Sequence, residues 1–336
     1  MDDPLWQDQT AFSQLIDIAS DDVLSRDVSD TTDDAAGTVK RLAWNSPLAM
    51  VGLTPGGRLT LESGVPISTS NQSAKSTLYY TPFSHDFVRL WDGTRPRLYQ
   101  FTERSLSLTM TSGKNYDVFL YDNSGTLTME LSAAWTTDTA RADALAWQAG
   151  VGWVKSGTAT RLWLGTIRAS ATNQTEQSFA TTDAPVRQFV WNAYNRVSVP
   201  CYCHDATDSW TYTTATWRQK RGSVNNQIEI VCGLAGASAL SVKNSALADN
   251  ATNGVSMRCA IGFDSTSAPH VSSSPAVSVL PASSVVQFVS FAEIAVAIGY
   301  HYATAMELST ALGTTTWYGD AGGTLNKTAI MARWEC

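Results

Sequence analysis

The chain has 336 residues, a formal net charge of −7 and only 16% charged residues, against about 25% in ordinary globular chains. It has no Lys/Arg run and no apolar stretch of the ~18 residues a spanning helix needs, so neither nucleic-acid binding nor membrane insertion is expected. Its five cysteines, Cys201, Cys203, Cys232, Cys259 and Cys336, are odd in number and irregularly spaced. They imply no disulfide framework, and no cofactor or metal is expected.

The N-terminus, Met1-Asp2-Asp3-Pro4, lacks the basic and apolar regions of a secretory leader, so a soluble product of the cytoplasm is expected. Residues 8–19, with Phe12, Leu15, Ile16 and Ile18, read as one short helix. A strand-like stretch, Val23 to Val28, follows, then a turn at Asp33-Asp34 and Gly37, then Thr38 to Leu42. This segment is too small to bury a core of its own. Residues 1–57 are therefore expected to form a docking arm and connector.

Residues 58–185 read as a first β domain. Its strands are expected at Thr77–Tyr80, Phe87–Trp91, Leu98–Phe101, Ser105–Met110, Tyr116–Tyr121, Thr126–Leu131, Gly152–Lys155 and Arg161–Arg168. Period-two alternation puts apolar side chains on one sheet face, and Asp92-Gly93 and Asp122-Asn123-Ser124-Gly125 are hairpin signals. Thr137 to Leu145 is helical in composition. The polar stretch Asn173 to Pro185 reads as a linker or long loop.

Residues 186–336 read as a C-terminal β-sandwich or jelly roll. Strands are expected at Arg187–Trp191, Trp210–Tyr212, Ile228–Cys232, Ala239–Lys243, Val255–Phe263 and Val285–Ile298, and a long polar loop at Ser265–Ser284. Cys232 and Cys259 fall in phase with apolar neighbours and read as small buried hydrophobes. Cys201-Tyr202-Cys203-His204 has no second pair to complete a tetrahedral site.

No signature of nucleotide binding or nucleophilic hydrolysis is present, and the four histidines are scattered. No catalytic residue is assigned. Asp205 and Asp208 beside Trp210 and Tyr212 leave open a polysaccharide depolymerase, since glycoside hydrolysis needs only two carboxylates. The leading ligand-binding candidates are Trp317, Tyr318 and Asp320, with His270 as an outlier. Gly313 and Gly319 would let a turn present the rings, and an exposed aromatic beside a carboxylate can stack on a sugar. The competing reading is that these rings pack in the core.

Several segments resemble structural proteins of tailed bacteriophages. Asp21 to Asp33 with Gly37 to Arg41 looks like an element near the N-terminus of fibre-type proteins. Gly57 to Gly64, Tyr79 to Pro82 and Leu90 to Gly93 look like a β domain of virion proteins. Trp191 to Arg196 and Asp208 to Tyr212 extend the likeness. The resemblance implies a virion component, a tail fibre or spike touching a host surface glycan, with a capsid decoration or head-fibre protein as the alternative. It implies a homotrimer bound to other virion proteins of tail, baseplate or capsid. Val23, Leu24, Arg26, Asp27 and Asp30 would anchor it.

Overall fold

The computed structural model describes residues 54–279, 282–323 and 328–336, together with the backbone of the strands Asp22–Asp27 and Thr38–Ala43. The protein is all-β, and its only helical elements among these residues are two single turns, Lys220–Gly222 and Val224–Asn226. No helix among them is long and apolar enough to cross a membrane.

In the arm, Asp22–Asp27 pairs antiparallel with Thr38–Ala43, placing Val23 opposite Leu42 and Arg26 opposite Val39. The expected helix at 8–19 and the anchoring residue Asp30 lie outside the described residues.

The first β unit is built on a six-stranded sheet, and three of its strand pairings are local hairpins. Asn115–Asn123 turns into Thr126–Leu131, and Gly152–Lys155 pairs with both Leu145–Gln148 and Thr158–Arg168. A three-stranded sheet and the hairpin Phe87–Trp91/Pro96–Gln100 cover one face. Between them lies a core of Leu59, Leu78, Tyr80, Leu90, Val118, Leu120, Leu162 and Ile167. Gly165 sits where the long strand shifts register and meets the backbone of Trp191. A methyl group there would collide with the Trp191 carbonyl.

The second unit is a sandwich of a seven-stranded and an eight-stranded sheet. The seven-stranded sheet sends Val199, Cys201, Leu240, Val242, Ile294, Ile330 and Trp334 inward. They meet Ile228, Ile230, Ile261, Ala303 and Ala305 of the other sheet. Apolar side chains on the facing sides of two sheets supply the burial that holds a sandwich together.

Several expectations need correction. The boundary at 185/186 is crossed by hydrogen-bonded strands in both directions. Val190–Asn192 joins the six-stranded sheet, whereas Gln72–Lys75 and Thr175–Gln177 join the eight-stranded one. The segment 173–185 is therefore no linker, because it contributes strands to both sandwich sheets. Arg187–Trp191 is not one strand: it divides at Phe189 into two short strands serving different sheets. Thr137 to Leu145 is not helical. Its backbone closes on itself between Thr136 and Ala140 and sends Arg141 inward. The loop 265–284 contains the strand Ala276–Val279, paired with Ser256–Phe263.

Candidate functional site: the outer face of the seven-stranded sheet

Strand pairing places the sequence-derived candidates first. Thr315–Tyr318 is a strand, not a ring-presenting turn, held between Ala239–Asn250 and Ser209–Thr211. Successive residues on a strand point to opposite faces. Trp317 consequently turns inward, 1% exposed, and packs 5.9 Å from Phe288. Its Nε1–H donates to the Tyr212 carbonyl at 3.2 Å. A buried ring cannot stack on a ligand, so the expectation for Trp317 is corrected to a core role.

Tyr318 lies on the opposite face and is half-buried. Burial, with Asp249 alongside, pushes its hydroxyl above the ordinary range. Asp320 is half-buried and accepts from the Gly322 N–H at 3.2 Å. His270 lies in the loop after Ser256–Phe263, where its backbone N–H donates to the Ile261 carbonyl and its ring meets Phe263 edge-on. The structure does not gather these residues into one site with Trp317.

Asp205 is fully buried. Burial works to raise its carboxyl, but the Thr207 N–H and the Arg221 guanidinium outweigh it and hold the group below the usual carboxylate range. Arg221 binds both of its oxygens at 2.9 Å. Asp205 therefore does not face a substrate as an acid. The thiols Cys201 and Cys203 are buried, and His204 is buried beside Thr182.

A different surface brings exposed side chains together. Four strands lie side by side in the seven-stranded sheet: Ser198–His204, Ala329–Glu335, Ala239–Asn250 and Val286–Ala295. Their register aligns two rows across the strands. In one row Tyr202 faces Met331, Met331 faces Lys243, and Lys243 faces Phe291. In the next, Pro200 faces Arg333, Arg333 faces Ser241, and Ser241 faces Glu293. Directly opposed residues share a face, and three strand spacings make each row roughly 14 Å long.

These rows line a shallow, open hollow of about 420 Å³. Phe291 is 56% exposed, large for a ring on a sheet surface. The Lys243 ammonium sits 5.9 Å from its ring centre, a favourable arrangement because the ring face is negative. Ser241 donates to Glu293 at 2.7 Å and steadies the carboxylate beside the hollow. Arg333 and Glu293 are both exposed. The hollow thus offers two aromatic rings, a thioether, and charges of both signs on a rigid support. That set can stack on an apolar ring face and bond hydroxyls around it.

Sequence reasoning missed this site. Ile330, Ala332 and Trp334 alternate with Met331, Arg333 and Glu335 and signal a strand that was not assigned. Which strands lie beside it is a matter of long-range pairing that no local pattern encodes.

No family model matches the chain, and no curated protein sequence matches it. Solved structures that it is similar to, at low TM-scores, include dimeric latent PorU from Porphyromonas gingivalis, with TM-score 0.28 and 9% identity over 74% of this chain and 19% of that one. A second is the insecticidal delta-endotoxin Cry8Ea1 of Bacillus thuringiensis, with TM-score 0.23 and 8% identity over 83% of this chain and 51% of that one. A third is the stem and receptor binding domain of the spike protein P1 from bacteriophage PM2, with TM-score 0.15 and 10% identity over 67% and 88%. The chain spans about a fifth of the first structure's length and about half of the second's.

Proposed function

We propose that the chain is a structural component of a phage particle, a tail fibre or spike that touches the host surface through the Tyr202–Phe291 hollow. The observation that carries this reading is the pair of aligned rows, which expose aromatic and charged side chains on the outer side of a well-packed sheet. The resemblance of Asp21 to Asp33 and of Gly57 to Gly64 to virion proteins supports the setting. The ligand class is a surface glycan, because exposed aromatic faces beside fixed charges stack on sugar rings and bond their hydroxyls. The arm carrying Val23, Leu24, Arg26, Asp27 and Asp30 anchors the chain to neighbouring virion proteins. The assembled form is a homotrimer.

Labelled protein applied to host cells tests the attachment role. Saturable binding that is competed by isolated surface polysaccharide, and lost in a folded Tyr202→Ala/Phe291→Ala variant, is the expected result. Undiminished binding by that variant would move the contact elsewhere.

A further inference from the structure

A polar cluster lies inside the sandwich, away from the outer face described above. Lys220 begins the single turn Lys220–Gly222 and is fully buried. Its Nζ donates to Asn244 Oδ1 at 2.7 Å and to the Ser245 carbonyl at 2.6 Å. Both partners are neutral. The neighbouring cations each hold a buried carboxylate: Arg218 meets Glu307 at 2.7 Å, and Arg221 meets Asp205 at 2.9 Å. Among the described residues, no carboxylate lies within ion-pairing distance of Lys220. An ammonium buried against neutral acceptors alone is costly.

The amide it touches is held in place. Asn244 is fully buried, and its Nδ2 donates to the carbonyls of Ala260 at 2.7 Å and Met306 at 3.2 Å. These bonds fix which way the carboxamide points and turn its oxygen toward Lys220. Asn244 belongs to Ala239–Asn250 of the seven-stranded sheet. Ala260 and Met306 belong to two strands of the eight-stranded sheet. The amine and the amide thus meet across the interior of the sandwich, sealed from solvent.

We propose that Lys220 and Asn244 join in an intramolecular isopeptide bond across the sandwich. The uncharged amine of Lys220 attacks Cγ of Asn244, and a carbon–nitrogen bond forms. The Cγ–Nδ2 bond breaks, the proton lost from Nζ passes to the departing nitrogen, and one ammonia leaves. No oxidant or reductant takes part. The attack needs a free amine, and burial supplies it: desolvation pushes Lys220 down to about 8, against the smaller opposing pull of Cys259 and Glu307. Burial therefore leaves more of this amine uncharged near neutral pH than in an ordinary exposed lysine. Holding amine and amide together replaces a bimolecular encounter, an advantage worth an effective concentration of up to about 10⁵ M or more.

Mass spectrometry of the full-length protein tests this without any substitution. The expected mass is about 17 Da below that of the sequence, one ammonia lost. Tryptic digestion is expected to yield a branched species in which Gln219–Arg221 is joined to Asn244–Arg258. A Lys220→Arg variant, which keeps a long basic side chain but has no nucleophilic amine, is expected to show the full mass. Full mass in the native protein would overturn the proposal. So would a 17 Da loss that persists in Lys220→Arg, or one that maps to a ring-closed Asn253 before Gly254 with the 244–258 peptide unbranched.

Discussion

Arg141 donates from Nε to Asp117 at 2.9 Å, joining an irregular loop to the centre of the six-stranded sheet. Asp117 is fully buried and also accepts from the indoles of Trp135 at 2.9 Å and Trp163 at 3.0 Å and from the Thr166 hydroxyl at 2.7 Å. The Arg141 guanidinium lies over both indole rings, 4.9 and 4.8 Å from their centres, and donates onward to the Gly233 carbonyl. One carboxylate thereby ties the first β unit to the turn that follows Gln227–Cys232. Burial pushes its carboxyl up, and Arg141 pulls it back.

Replacing Asp117 by Ala leaves two buried indole N–H groups without their acceptor and the half-buried Arg141 guanidinium without its carboxylate. The expected loss of stability is about 3–5 kcal/mol, the usual cost of removing one member of a buried pair. Denaturant unfolding followed by tryptophan fluorescence measures it. An unchanged midpoint would mean that the cluster is dispensable.

Trp317 and Tyr318 separate a core role from a surface role on a single strand. Trp317→Ala is expected to cost about 3–5 kcal/mol, because the cavity between Phe288 and the sheet cannot close. Tyr318→Ala is expected to stay within about 1 kcal/mol. Thermal melts of the two variants decide the matter, and equal losses would contradict the inward placement of Trp317.

That contrast also shows what the sequence discloses. Thr126–Leu131 and Gly152–Lys155 are legible to the residue, because each pairs with a chain neighbour and alternation over a hairpin is a local signal. Gly299–Ser309 is not legible in the same way. It lies inside the eight-stranded sheet, and its run of buried Ala303, Thr304, Ala305, Met306 and Glu307 shows no alternation. Glu307 is buried there because Trp210 and Arg218 bond it, partners about ninety residues away in sequence. The binding candidates failed for a related reason. An aromatic beside glycines looks the same whether a strand turns it inward or outward, and neighbouring strands decide which. Phe291 escaped notice because its three companions come from strands scattered between Ser198 and Glu335.

Cys232 makes stability depend on alkaline pH. Burial pushes its thiol up to about 11 from an ordinary value of 9.0. The unfolded thiol therefore ionises first, and the stabilisation present below pH 9 is lost as pH rises toward 11. The slope is at most about 1.4 kcal/mol per pH unit. Cys232→Ala removes this contribution, so urea midpoints at pH 8 and pH 11 should differ less in the variant than in the native protein. An identical pH difference would show that Cys232 does not contribute.

Phe291→Ala is expected to leave the melting temperature within about 2 °C, because the ring is largely exposed. It is expected to weaken binding to host polysaccharide at least tenfold, about 1.4 kcal/mol. Glycan-array or sedimentation binding measures the effect, and unaltered affinity would remove Phe291 from the contact.

Locating the chain on intact particles, by antibody-gold labelling and by quantitative protein mass spectrometry of purified virions, tests the central claim most directly. The expected result is a stoichiometric virion protein with label at the tail tip or on a projecting spike, in copy numbers divisible by three. Label spread over the capsid faces would contradict the tail assignment, and absence from purified particles while the chain is abundant in infected cells would contradict a structural role altogether.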